Sequence, residues 1–504
     1  MSIRGVYTPV TELRRKVFTE VARLAYEGGD YTRLDELPYK ILPGEVATYR
    51  DSIFLERAII GERLRLSIGL PLRDTTEHAP ISRGIIDSAI AEKYYDPPLV
   101  NIIKFACNKC PDNVVKVSDA CRGCLAHPCT IVCPVDACHI VNGRSLIDQD
   151  KCIKCGKCIT ACPYDAIMRS VRPCANACGV DAISSDELGR ADIDQDKCVS
   201  CGMCLVNCPF GAISDKGQIF QTIIALKDEK VPVYACVAPS FVGQFGPKVT
   251  PNRLKSAMIK LGFEDVIEVA IGADLCTVEE AEDFVKEVPD KLKWMGTSCC
   301  PSWSVMAKNL FPDFKDNISM ALTPMVLTGR LIKKEHPECK VVFVGPCSAK
   351  KLEASRTTVR SDIDFVLTYE ELMGLFEARD IDFENLNDDE MVFESTADGR
   401  GFANGGGVAA AVANVIKNKY PGIEVKTMSA DGLAECRKML MVAKSGKYDG
   451  YLLEGMGCPG GCVAGAGTLQ PIIKSTNEVK KYKNDAKLKV ADETKYREYL
   501  ELLE

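Results

Sequence analysis

Of the 504 residues, 26 are cysteine and only 4 are histidine, so the chemistry open to this chain starts with sulfur. Two segments share the spacing C-x2-C-x2-C-x3-C-P: Cys152, Cys155, Cys158, Cys162 before Pro163, and Cys198, Cys201, Cys204, Cys208 before Pro209. Three thiolates so spaced wrap one [4Fe-4S] cubane and the fourth reaches a neighbouring cluster. A third segment, Cys121, Cys124, Cys129 and Cys133, has the same order with a longer middle gap. Exchange of fourth ligands gives two complete sets: Cys121, Cys124, Cys129, Cys162 and Cys152, Cys155, Cys158, Cys133. The fragments Cys107, Cys110, Cys174 and Cys178 then read as one motif split by the two-cluster unit at 121–162. Cys198, Cys201, Cys204 and Cys178 form a third set; Cys107, Cys110, Cys174 and Cys208 form a fourth. Seventeen cysteines fall between Cys107 and Cys208, and setting aside Cys138 as a spare buried thiol leaves four sets of four. His127 lies inside the third segment and reads as a surface side chain ahead of a ligand. A file of cubanes carries single electrons, which implies a redox centre at its inner end.

Nine more cysteines run from Cys236 to Cys462, and three loops concentrate five of them. They are Thr297-Ser298-Cys299-Cys300-Pro301-Ser302-Trp303, Gly345-Pro346-Cys347-Ser348-Ala349-Lys350-Lys351-Leu352-Glu353, and Glu454-Gly455-Met456-Gly457-Cys458-Pro459-Gly460-Gly461-Cys462. None has zinc-finger spacing. Five thiols are one more than a cubane needs, so plain electron transfer leaves a thiol unexplained. Lys350-Lys351 alone would read as a solvated pair, and Met456 and Phe402 alone as core.

With these three segments in order, the chain resembles the [FeFe]-hydrogenases over roughly residues 107–470. The cubane run resembles the four-cluster electron-transfer subunits of molybdenum oxidoreductases, with its pieces in another order. The hydrogenase resemblance implies an H-cluster: a cubane joined through one cysteine to a two-iron unit carrying CO, cyanide and an azadithiolate. It implies that Cys300, Cys347, Cys458 and Cys462 hold the cubane, Cys462 bridging to the two-iron unit. Cys299 would pass protons, Lys350 would bond one cyanide, and Ala238-Pro239-Ser240 would hold the other. Met456 and Phe402 would pack around the unit. Glu280 and Ser319 would continue a proton path, with Asp283 where a longer carboxylate is usual. A thiol suits such a relay because it moves a proton without leaving a permanent charge.

The departures are Gly345 for a common methionine, expected to open space beside the site, Ser302 for glycine, and Ala466 in a glycine run. Cys276 is unexplained and expected to be packed in the core. Homologous iron–sulfur assembly proteins keep the cubane and lack the two-iron unit; Cys299, Lys350 and Cys462 together favour the enzyme. Sensory relatives lose the relay thiol, and a pure electron-transfer subunit leaves the five-thiol region unexplained.

Around these motifs the expected fold is a multidomain α+β chain. Residues 1–106 form a helical region, where Leu13, Val17, Val21 and Leu24 recur at helical spacing until Gly28-Gly29, and a second apolar stretch covers 53–66. Residues 107–215 form a ferredoxin-like region. Residues 216–504 form a two-lobed α/β region with parallel sheets: strands at 231–237, 266–271, 292–295, 340–344 and 450–453 alternate with helices at 253–261, 277–288 and 408–417. The glycine-rich stretches 399–407 and 460–467 lack a strand–GxGxxG–helix context, which disfavours a nucleotide site.

Lysine plus arginine (63) against aspartate plus glutamate (70) gives −7, without the basic footprint of a nucleic-acid binder. No signal peptide or membrane span is evident, so a cytoplasmic location is expected, where thiols stay reduced. The expected partners are H2 and protons, a soluble electron carrier such as ferredoxin, and maturation proteins that insert the two-iron unit.

Overall fold

The computed structural model describes residues 6–356, 361–386 and 394–503. It is a mixed α/β chain with parallel sheets. Helix α1 (Pro9–Glu27) starts on the Thr8 side chain, which accepts from the Thr11 N–H, and stops at Gly28 with φ of 69°. Helix α2 (Ile53–Ser67) covers the second apolar stretch.

Four two-stranded antiparallel ribbons carry the cubane run. They pair β1 (Val100–Ile102) with β8 (Ile213–Asp215) and β2 (Val114–Val117) with β5 (Ile167–Ser170). They also pair β3 (Cys138–Val141) with β4 (Arg144–Ile147) and β6 (Ile183–Ser185) with β7 (Ala191–Ile193).

The remainder holds two parallel sheets. One has the order β10-β9-β12-β13, from β9 (Val233–Val237), β10 (Val266–Glu268), β12 (Lys340–Gly345) and β13 (Phe365–Thr368). The other has the order β11-β15-β14, from β11 (Met295–Gly296), β14 (Lys426–Asp431) and β15 (Tyr451–Met456). The central strands are unbroken apolar runs because both faces are covered. Two strands escape the sequence pattern: β13 is only four residues long, and β14 is a largely exposed edge. Residues 270–276, read partly as strand, instead open the helix α3 (Ala270–Glu287).

Val17, Val21 and Leu24 of α1 share one core with Val233, Val342 and Phe365 of the four-stranded sheet. Helix α1 packs on α4 (Tyr369–Ala378), where Arg14 pairs with Glu370 at 2.6 Å. A second tie is buried. Lys351 donates to Asp215 at the end of β8 (3.0 Å), to the Lys216 carbonyl (3.1 Å) and to Glu371 of α4 (2.8 Å). Glu371 also closes the capping box that starts α4, accepting from the Thr368 N–H at 2.7 Å. Burial alone would lower the Lys351 pKa, but Asp215 and Glu371 hold it above its ordinary value. The solvated-pair reading of Lys350-Lys351 therefore fails: both are buried, Lys351 to 2% exposure. Removing one member of such a group leaves buried charge without a counter-ion. Lys351→Ala should cost about 3–5 kcal/mol, read as a lowered thermal or urea midpoint; a cost within the range of surface substitutions would contradict this account.

Candidate active site and electron relay

The three cysteine loops leave the carboxyl ends of parallel strands, where open α/β sheets place their sites. Ala238-Pro239-Ser240 follows β9, Cys299 and Cys300 follow β11, Cys347 follows β12, and Cys458 and Cys462 follow β15. All of them line one pocket with Lys350, Met456 and Phe402. The pocket walls are otherwise mostly apolar, including Met325 and Phe343.

Local chain geometry fixes each thiol. Cys300 is the N-cap of the helix Pro301–Leu310, and its sulfur accepts from the Gly457 N–H at 3.3 Å. Cys347 precedes the helix Ala349–Ser355. Burial, then the charge of neighbouring cysteines, raises Cys347 to about 11 and Cys462 to about 12. Four thiols converging from three loops fit a cubane, and their raised pKa values fit groups that ionise only against iron.

Cys299 is the surplus thiol. Burial, followed by the charge of Glu280, holds it well above the ordinary thiol range. Glu280 is fully buried on α3; its Oε1 accepts from the Ser298 N–H at 2.6 Å, and among the described residues its Oε2 has no hydrogen-bond partner. Lys350 donates to Thr323 Oγ1 (3.1 Å) and the Cys299 carbonyl (3.4 Å), and pairs with Glu353 at 2.6 Å. Burial would lower its pKa, but Glu353, with smaller contributions from Cys347 and Cys299, holds it above its ordinary value.

Ser319 and Asp283 lie outside this pocket, in a cleft of about 530 Å³ that also reaches Ser298 and Glu353. Ser319 Oγ accepts from the Ala321 N–H at 3.1 Å; among the described residues no hydrogen bond joins it to Glu280. Cys276 is buried, 3.9 Å from the Ser298 hydroxyl. The expected opening at Gly345 is filled: a Cβ there would meet the Phe343 ring at 2.4 Å. Ser302 is buried and donates to the Val199 carbonyl at 3.3 Å, joining the pocket to the Cys198 run.

The sequence reading missed Tyr369, whose hydroxyl lies 2.7 Å from Ser240 Oγ and donates to the Ala238 carbonyl at 3.0 Å. It also missed Thr323 and Glu353, which hold Lys350.

The accessory cysteines also gather. Cys107, Cys110, Cys174 and Cys208 line one cavity with Arg172. Cys198, Cys201 and Cys204 have raised pKa values, chiefly through burial, and the nearby Cys178 contributes to the rise in all three. Cys201 lines the five-cysteine pocket described above, and Cys174 contributes to the rise at Cys204. The two sets thus lie in sequence outward from the pocket.

Farther out, Cys133, Cys152 and Cys155 surround Cys158. Cys121 accepts from the Ser145 N–H at 3.5 Å, and Cys129 lies 3.6 Å from Ser145 Oγ. Cys129 and Cys162 share an apolar cluster with the spare Cys138, which lies 3.1 Å from the same hydroxyl. Cys124 is half-buried, its carbonyl accepting from the His127 N–H at 3.3 Å. His127 itself starts the helix Pro128–Ile131 in a left-handed conformation.

Residues 231–466 match the family described as iron only hydrogenase large subunit, C-terminal domain. Residues 113–163 and 151–212 match 4Fe-4S dicluster domains. Iron hydrogenase 1 of Clostridium pasteurianum is 29% identical over 66% of this chain and 67% of its own length. The periplasmic [Fe] hydrogenase large subunit of Nitratidesulfovibrio vulgaris is 29% identical over 50% of this chain and 72% of its own. The cytosolic Fe-S cluster assembly factor NAR1 of Sclerotinia sclerotiorum is 31% identical over 28% of each chain. No helix among the described residues is long and apolar enough to cross a membrane.

Glu280 provides a pH test. Its pKa is pushed up to about 7, chiefly by burial and against the lowering effect of the Ser298 N–H. A carboxyl whose folded pKa exceeds its ordinary value of 4.5 binds more protons in the folded state. Its contribution to stability is full below 4.5 and is lost as pH rises through about 7. Glu280→Gln, neutral throughout, should therefore gain thermal midpoint over the parent between about pH 5 and about pH 8. A constant difference across that range would refute the shifted carboxyl.

Proposed function

We propose that this chain interconverts H2 with protons and electrons at an H-cluster, working in the cytoplasm with a soluble carrier such as ferredoxin. Cys300, Cys347, Cys458 and Cys462 are the thiols that would hold its cubane, and maturation proteins would supply the two-iron unit beside Cys462. Four accessory cubanes, in the four cysteine sets above, relay electrons. When bound, the H-cluster supplies iron at which H2 splits heterolytically.

The observation that carries the reading is Cys299: a thiol in the pocket beyond the four suited to the cubane and beyond Cys201 of the inner accessory run, with Glu280 beside it. Each neighbouring group has a task there. Lys350, paired with Glu353, presents a cation to anionic ligands in a mostly apolar pocket. Ala238-Pro239-Ser240, pinned by Tyr369, offers a rigid polar edge on the opposite wall. Met456, Phe402 and Phe343 exclude water. Cys299 holds a proton at Sγ, and Glu280, poised near neutrality, takes it up at the unpartnered Oε2. Ser319 and Asp283, in the cleft beyond, continue the path to solvent.

Infrared bands of terminal CO and cyanide are expected once the protein has been matured with the two-iron unit. Cubane signals alone would move the chain to the cluster-assembly reading. Cys299→Ala should keep those bands and lose about 100-fold or more in turnover, within the usual range for a proton-transfer group. Unchanged activity would remove Cys299 from the relay.

A further inference from the structure

The two C-x2-C-x2-C-x3-C runs are repeats of one local fold, so position-by-position comparison separates what the motif requires from what each copy adds. Ser200 and Lys154 occupy the same position and share a left-handed backbone, with φ of 52° and 56°. Gly202 and Gly156 follow, at 76° and 81°, and each run then enters a five-residue helix.

The faces differ. In the Cys198 run, Val199, Ser200 and Met203 are 4%, 6% and 6% exposed. Ser302 bonds the Val199 carbonyl, and a Cβ on Gly202 would meet Ala466 at 2.6 Å. This face packs against the catalytic pocket. In the Cys152 run the matching residues are Ile153, Lys154 and Lys157, all exposed, Ile153 to 59%. Tyr164 adds an apolar surface at 52%. A lysine directly precedes each of Cys152, Cys155 and Cys158, and Cys155 is itself exposed. Arg169, also exposed, donates to the Lys154 carbonyl and adds a fourth cation. Lys151 lies 3.9 Å from Asp148, but among the described residues no ion pair involves Lys154 or Lys157. A chain of net charge −7 thus gathers cations where a cluster site meets solvent.

We propose that this face, Lys151, Lys154, Lys157 and Arg169 around Ile153 and Tyr164, is the docking surface for a small acidic iron–sulfur protein. The cubane held by Cys133, Cys152, Cys155 and Cys158 is the electron port. One electron leaves that cubane, which is oxidised, and reduces the oxidised carrier; no proton or bond is exchanged. Charge complementarity selects the partner, since an acidic surface is steered to the lysines while Ile153 and Tyr164 supply the dry contact. The proposal rests on the electron-relay part of the proposed function and is independent of hydrogen chemistry.

The test uses the full chain with its clusters reduced by dithionite and then freed of reductant. Stopped-flow absorbance follows their reoxidation by an oxidised acidic 2[4Fe-4S] ferredoxin or by metronidazole, a small neutral acceptor. The ferredoxin rate should fall as salt is raised. Lys154→Glu/Lys157→Glu should slow it about tenfold or more at low ionic strength, and by less than about twofold at high salt. Lys154→Arg/Lys157→Arg should keep the parental rate, and all variants should react alike with metronidazole. A ferredoxin rate insensitive to charge reversal overturns the proposal. Equal slowing with metronidazole also overturns it, because the defect would then lie in the cluster and not in docking. Absence of CO and cyanide bands would sink the hydrogenase reading and leave this result standing.

Discussion

Burying thiolates side by side is unfavourable twice over, because each loses its hydration and each repels its neighbours. In this chain burial comes first and neighbouring cysteines second in raising Cys201, Cys204 and Cys347, while burial acts almost alone at Cys236. Groups so placed remain neutral thiols unless cationic iron compensates them, so cluster insertion and the final packing of these loops are one equilibrium. The helices and sheets must therefore present the cysteines on short, well-anchored loops before iron arrives.

That requirement accounts for the architecture. Parallel strands of two sheets end at one level, and the chain turns there into loops whose free N–H groups face sulfur, as Gly457 does toward Cys300. Charges are kept in matched groups. Lys350 has Glu353, and Lys351 has Asp215 and Glu371. Adjacent lysines in one short helix thus serve different tasks, one at the pocket wall and one clamping the iron–sulfur region to the larger sheet.

The cysteine runs were legible because ligand spacing within each is local; Cys107, Cys110 and Cys174 of the split motif do line one cavity with Cys208, the fourth member assigned to them from the Cys198 run. The parallel α/β lobes were legible from apolar runs. What failed had other causes. Phe343 fills the room at Gly345 because residues two apart share a strand face, a signal present in the sequence but unused. The Tyr369 clamp on Ser240 and the Lys351 clamp on Asp215 span more than a hundred positions, with no local pattern to announce them. Strand β14 was missed because an exposed edge carries no apolar run. Asp283 and Ser319 were placed on the outer cleft side only by the fold.

Gly202 has no room for even a methyl group, wedged between Ala466 and Ser348 where the Cys198 run meets the cysteine pocket. Its counterpart Gly156 is crowded only by the tips of Arg169 and Ile159. The chain therefore has one welded joint and one open joint. The inner run cannot be traded as a cassette without rebuilding the pocket wall, whereas the outer run faces solvent and its surface can change without touching that wall.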